Sequence, residues 1–276
     1  MINKEGAMAH LMDLLAVEGP TGQESKVVET ITKKLITAGC KKAWIKTDDA
    51  HKRLGDGYEI GNLIVKLPGT VKAPRVMFSA HMDTVPLCKG AVPLVKGNRI
   101  IAKGKTGLGG DDRSGCAAIV TLAETLLKNK IPHPPITLLF PIAEENGLHG
   151  SRMVRFKDLG HPEMGFNLDG QHPNEIVIGA MSAVRWTAEV SGLSTHAGIE
   201  PQKGISAGLI ASKAMATGLL ASDKFMTACA SKASIRLTNA LAATKSVAKG
   251  FSHQMALFLS RHKWLYSIWL LGGVPI

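Results

Sequence analysis

The spacing of hydrophobic positions changes along the chain, and each change predicts an element. Residues 5–18 place Met8, Leu11, Met12 and Leu15 at helical spacing, and Gly19-Pro20 ends that helix. Thr21 stands three residues before Glu24, a capping-box pattern, and a second helix should run to about Ala38 and stop at Gly39. Residues 58–67 alternate and end at Pro68-Gly69, which reads as a strand and a turn. Apolar runs over 75–80, 136–143 and 164–168 read as buried strands. Residues 87–105 form a loop and a short hairpin around Gly97-Asn98, and a long apolar helix follows Asp111 through Leu127. Further on, 176–178 and 183–190 read as strands joined by Gly179-Ala180, and a helix opens after 201–206 and runs through Leu220. Strands alternating with helices predict an α/β fold.

The chemistry collects at the ends of the strands. The run at 75–80 delivers His81 and Asp83, two residues apart. Side chains alternate along a strand, so these two point the same way, and Asp83 can hold the imidazole while His81 ligates a metal. Alone, this spacing also fits a loop histidine with an accidental neighbour. The segment Gly109-Gly110-Asp111-Asp112 then sets two carboxylates at a helix start, where capping would need one. The strand at 136–143 ends in Glu144-Glu145, and Asp169 follows the one at 164–168. In open α/β sheets such ends gather on one edge, where ligands bind. His81, Asp111, Glu145 and Asp169, with Glu144 beside them, make a hard-ligand set suited to Zn²⁺, Co²⁺ or Mn²⁺. No thiolate takes part, which argues against a structural zinc site and for hydrolysis.

Composition excludes several classes. With 276 residues, 45% hydrophobic and 20% charged, the chain reads as a globular protein, not a disordered one. Its net charge of +11 resembles a nucleic-acid signal, but residues 1–200 hold 24 basic and 21 acidic residues and residues 201–276 hold 9 and 1. The excess therefore sits in the tail, and no nucleic-acid partner is expected. Cys40, Cys88, Cys116 and Cys229 show no metal or redox spacing, and Cys116 reads as a core residue. No secretory signal is read at the start, and residues 264–274 are too short to span a bilayer, so a cytoplasmic protein without a membrane partner is expected.

Five motifs carry a family resemblance: His81-Met82-Asp83-Thr84-Val85, Gly109-Gly110-Asp111-Asp112-Arg113-Ser114-Gly115, Ala143-Glu144-Glu145-Asn146-Gly147, Leu168-Asp169-Gly170 and Ser194-Thr195-His196-Ala197-Gly198. In this order the chain resembles the dinuclear zinc metallopeptidases that include peptidase T, aminoacylase and succinyl-diaminopimelate desuccinylase, with peptidase T nearest. The resemblance covers about residues 5 to 220. It implies a mixed, largely parallel sheet flanked by helices over 1–180, then the start of a smaller α+β lid or dimerisation domain over 181–220. It implies two Zn²⁺ ions per subunit, with His81 and Asp169 on the first, Glu145 on the second and Asp111 bridging them. Glu144 would be the general base, Asp83 would orient His81, and His196 would stabilise the oxyanion, in dimeric relatives across a homodimer. The implied activity is that of a tripeptide aminopeptidase acting on short peptides. Hydrolysis of N-acyl amino acids by the same site is an alternative expectation.

The resemblance ends near Leu220. Residues 221–276 hold one acidic residue, Asp223, and seven Lys or Arg. The Gly-rich return with a last metal-ligating histidine, which the family pattern implies, is not recognisable there, and His253 and His262 stand in other contexts. A frameshifted or otherwise aberrant end is expected, and with it a third reading: an inactive, truncated remnant with a weakened second metal site.

Overall fold

The computed structural model describes residues 2–170, 172, 175–179, 187–196, 198–216, 234–238 and 246–247. They fall into two compact units that divide after Gly179.

The first unit opens with α1 (Lys4–Ala16) and α2 (Ser25–Thr37). Asn3 caps α1, its Oδ1 accepting the Gly6 amide at 3.1 Å. Next come β1 (Ile45–Thr47), α3 (Ala50–Leu54), β2 (Leu63–Leu67) and β3 (Val76–Ser79). A hairpin of β4 (Pro93–Lys96) and β5 (Arg99–Ala102) turns at Gly97-Asn98, as the sequence predicts. Then follow α4 (Gly110–Lys128), β6 (Ile136–Phe140), α5 (His149–Met153) and β7 (Met164–Asn167).

Five of these strands form a mixed sheet in the order β1-β2-β6-β3-β7. β3 runs parallel to both β6 and β7, while β2 is antiparallel to β1 and β6. Ser79 stands level with Leu139 on one side and Asn167 on the other. This register brings the residues that follow β3, β6 and β7 out at one edge. The central strands β2 and β6 are apolar because both of their faces are covered, whereas β1 at the edge is largely exposed. Leu63, Val65, Leu138 and Phe140 join Leu14, Ile31, Leu35, Ile119 and Val120 of the helices in the main core. Ile64 and Leu139, one residue out of phase, pack with Leu159, Met77 and Phe156 on the opposite face. Cys116 is buried in the main core.

Three local expectations need correction. The capping box of Thr21 and Glu24 does not form: α2 starts at Ser25 with Glu24 at its N-cap and no side-chain cap bond. The Thr21 hydroxyl and the Glu24 carboxylate bond elsewhere, to Asp83 and to the amides of Gly22 and Ala143. The strand over 58–67 is shorter, because Asn62 leaves the ladder and its side chain bridges Asp48, the Gly150 carbonyl and the Ile142 amide. Residues 176–178 form no strand, and Ile176 and Ile178 are exposed.

The second unit contains β8 (Thr187–Ser191), α6 (Ala207–Ala216), β9 (Ser234–Thr238) and β10 (Ser246–Val247). β8 is the middle strand of a three-stranded sheet, parallel to β9 and antiparallel to β10. The predicted strand over 183–190 and the helix through Leu220 extend beyond the described residues at 183–186 and 217–220. Apart from β9 and β10, the tail 221–276 lies outside them too. Among the described residues no helix is long and apolar enough to cross a membrane.

Candidate metal centre

His81 sits where β3 ends, 3% exposed. Its Nε2 lies 2.9 Å from Oδ1 of Asp111 and 3.9 Å from Oε2 of Glu144. Its Nδ1 faces Asp83, 3.1 Å from the backbone oxygen and 3.3 Å from Oδ1. The ring is therefore held from behind and offers its outer nitrogen to the carboxylates.

Asp83 does more than orient the ring. Fully buried, it accepts the Glu144 amide at 2.8 Å on Oδ1, and the Glu145 amide at 3.2 Å and the Thr21 hydroxyl at 2.7 Å on Oδ2. The same carboxylate thus ties the ends of β3 and β6 together.

Asp111 and Asp112 open α4 and diverge, with non-helical backbone angles at both and a cis peptide between them. The Asp111 side chain is 74% exposed and reaches His81. Asp112 is buried; its Oδ1 accepts the Gly115 amide at 3.0 Å, and its Oδ2 has no hydrogen-bond partner. Gly115 is required here, because a Cβ would collide with the Asp112 carboxylate and with the Leu168 carbonyl, which leads into Asp169. Behind Asp112, the buried Arg113 guanidinium donates to the carbonyls of Leu14, Val17 and Gly19, locking the end of α1 to the start of α4.

The ligand atoms converge in two overlapping groups. One donor atom each from His81, Asp111 and Glu145 lies within 4.8 Å of the others, and the same holds for His81, Asp112 and Asp169. The four residues singled out from the sequence as metal ligands are thus brought together around one imidazole, and Asp112 joins them. The sequence singles out Asp112 only as the second carboxylate of the pair at the helix start, without a ligand role of its own. Asp111, Asp112, Glu144 and Asp169 line an open cavity of about 700 Å³ together with His172 and Glu175, two residues that the motifs did not assign. His149 lies away from it, its Nδ1 2.8 Å from the Tyr58 hydroxyl. His196 belongs to the second unit, exposed, with Nδ1 accepting the Gly198 amide at 3.2 Å.

Burial dominates the electrostatics, with like charge adding to it. Burial pushes the Glu144 carboxyl up to about 7, opposed by His81 and helped by Asp169, Asp83 and Glu145. Burial also raises Asp169 and lifts Asp112 well above the usual carboxylate range. Burial would lower His81, but its bonds to Asp111 and Asp83 outweigh this and carry it up to about 11. A divalent cation would satisfy this donor set: four carboxylates around one imidazole, one buried carboxylate oxygen lacking a partner, and no thiolate.

Residues 62–228, more than half of the chain, match peptidase family M28. Peptidase T from Lactobacillus helveticus is 33% identical over 114 residues, 41% of this chain and 27% of that protein. The crystal structure of aminopeptidase PepT from Bacillus cereus superimposes with a TM-score of 0.63 at 31% identity, covering 78% of this chain and 57% of that one. A tripeptidase from Staphylococcus aureus gives the same TM-score of 0.63 at 28% identity, again covering 78% and 57%. The chain spans about half the length of the curated relatives it matches. Sheet order, strand-end chemistry and these matches agree: the chain belongs to peptidase family M28 and resembles the peptidase T branch of the zinc peptidases.

Proposed function

We propose that this chain is a metal-dependent exopeptidase that releases the N-terminal residue of short peptides, tripeptides foremost, with zinc as its metal. The observation that carries the reading is Glu144: a half-buried carboxyl, raised to about 7, on the wall of an open cavity beside the His81 cluster. His81, Asp111, Glu145 and Asp169 would hold the cations, with Asp112 as a further donor. Bound there, they would supply Lewis acidity towards water and the scissile carbonyl. Glu144 accepts the proton of the attacking water and returns it to the leaving amine, a task suited to a group that titrates near neutral pH. Asp83 fixes the His81 ring and the backbone that carries Glu144. His196, on the second unit, is our candidate for stabilising the oxyanion, in a homodimer as in the dimeric relatives.

The test is tripeptide hydrolysis by the purified chain with Zn²⁺ or Co²⁺, beside Glu144→Ala. Loss of at least about 100-fold in kcat, with folding intact, is expected for the variant. A panel of N-acyl amino acids run in parallel decides the substrate: hydrolysis of these alone would replace the exopeptidase reading with that of an amidohydrolase. A folded, metal-loaded chain inactive on both classes would leave the remnant.

A further inference from the structure

Glu24 is a buried acid that the proposed chemistry does not use. It is fully buried, yet as the N-cap residue of α2 it makes no side-chain bond to that helix. Its Oε1 instead accepts the amides of Gly22 at 2.9 Å and of Ala143 at 3.0 Å, and its Oε2 is buried without a hydrogen-bond partner. Ala143 has φ +51°, a left-handed conformation that alanine seldom takes. The next two amides, those of Glu144 and Glu145, both go to Asp83. Three consecutive N–H groups thus end on two carboxylates, one from residue 24 and one from residue 83. The turn at 21–22 ties that pair together, since the Thr21 hydroxyl bonds Asp83 and the Gly22 amide bonds Glu24.

We propose that Glu24 is a positioning residue: by holding the Ala143 amide it keeps the unusual backbone of residue 143, and so aims Glu144 and Glu145 at the His81 cluster. This deepens the functional reading above and rests on it for the roles of those two residues. The contact needs an acceptor of the right reach rather than a charge. One oxygen of the two is engaged, and burial with Asp83 nearby raises the carboxyl to about 7, so much of it is neutral near that pH. An amide of equal length offers the same acceptor; an aspartate, one methylene shorter, does not reach.

The test compares Glu24→Gln and Glu24→Asp in the full chain, by hydrogen exchange of the 141–147 amides without added metal and by kcat and KM on a tripeptide. Glu24→Gln should stay within about twofold of wild type in both readouts, because the acceptor is kept. Glu24→Asp should exchange about tenfold faster at 143–145, with β6 still protected, and should lose kcat with little change in KM. Three results overturn the proposal: Glu24→Gln loosens the segment as Glu24→Asp does, Glu24→Asp behaves as wild type, or protection is lost evenly across the chain, which would make Glu24 a general support of the fold. Should no form hydrolyse tripeptides, the functional reading fails while the exchange data still decide the positioning role.

Discussion

Asp83 shows how much one side chain organises. Its two oxygens meet the His81 ring and the Glu144 and Glu145 amides, and accept the Thr21 hydroxyl. Asp83→Asn replaces an acceptor with a donor facing those amides. We expect metal affinity to fall about 10- to 100-fold, read by titration of Zn²⁺ into the metal-free chain. Unchanged affinity would mean that the ring needs no such support. Glu24 makes a prediction of opposite character. Its carboxyl is raised from the ordinary range to about 7, so between about 4.5 and 7 the native state binds more protons than the unfolded one. Its contribution is fully present below about 4.5 and is lost as pH rises through 7. Wild type should therefore lose stability relative to Glu24→Gln between pH 5 and pH 8 in parallel denaturant titrations; a constant difference would show that Glu24 does not titrate there. At this scale the sequence was informative where a residue type stood at the end of a strand, as with His81, Glu144, Glu145 and Asp169, or at the start of a helix, as with Asp111. It misled at Glu24, because a capping box and a tertiary anchor share one local pattern. It gave Asp112 no separate ligand role and His172 none beyond the surface, because their places depend on neighbours far along the chain.

His81, Glu144, Glu145 and Asp169 meet because β3, β6 and β7 run parallel and in register, so that three short strands end level, and the start of α4 adds Asp111 and Asp112. That much follows from strand patterning, and the hairpin followed from Gly97-Asn98. β1 and α3 escaped notice: they are three and five residues long, too short to show a period. The joint between α1 and α4 was equally hidden, since nothing local says that Arg113 will be buried against three carbonyls. Arg113→Met would leave those carbonyls short of donors. We expect a loss of about 2–4 kcal/mol in unfolding free energy by urea titration. A loss below about 0.5 kcal/mol, the range of ordinary surface substitutions, would show that water replaces the guanidinium. Gly115→Ala presses instead on Asp112 and the Leu168 carbonyl. It should weaken metal binding more than it lowers the melting temperature, and the reverse order would separate this helix contact from the site.

For the whole molecule, the ligand cluster gathers buried carboxyls that a bound cation would compensate. Zn²⁺ at 100 times its Kd should stabilise the chain by about 2.7 kcal/mol, and a chelator should reverse this in a thermal scan. A melting temperature indifferent to both would count against any metal at these residues. The grip of Glu24 on Ala143 also bears on the order of folding. It joins residues 119 apart in sequence, and the bonds of Asp83 to Glu144 and Glu145 span 61 and 62. Contacts of such separation pay loop-closure entropy before they reward it, as the pairings of β3 with β6 and β7 do. A chain emerging from the ribosome thus cannot set the 143–145 segment from its neighbours in sequence: its shape waits on residues 24 and 83, made well before it, and should come only with the sheet that joins them.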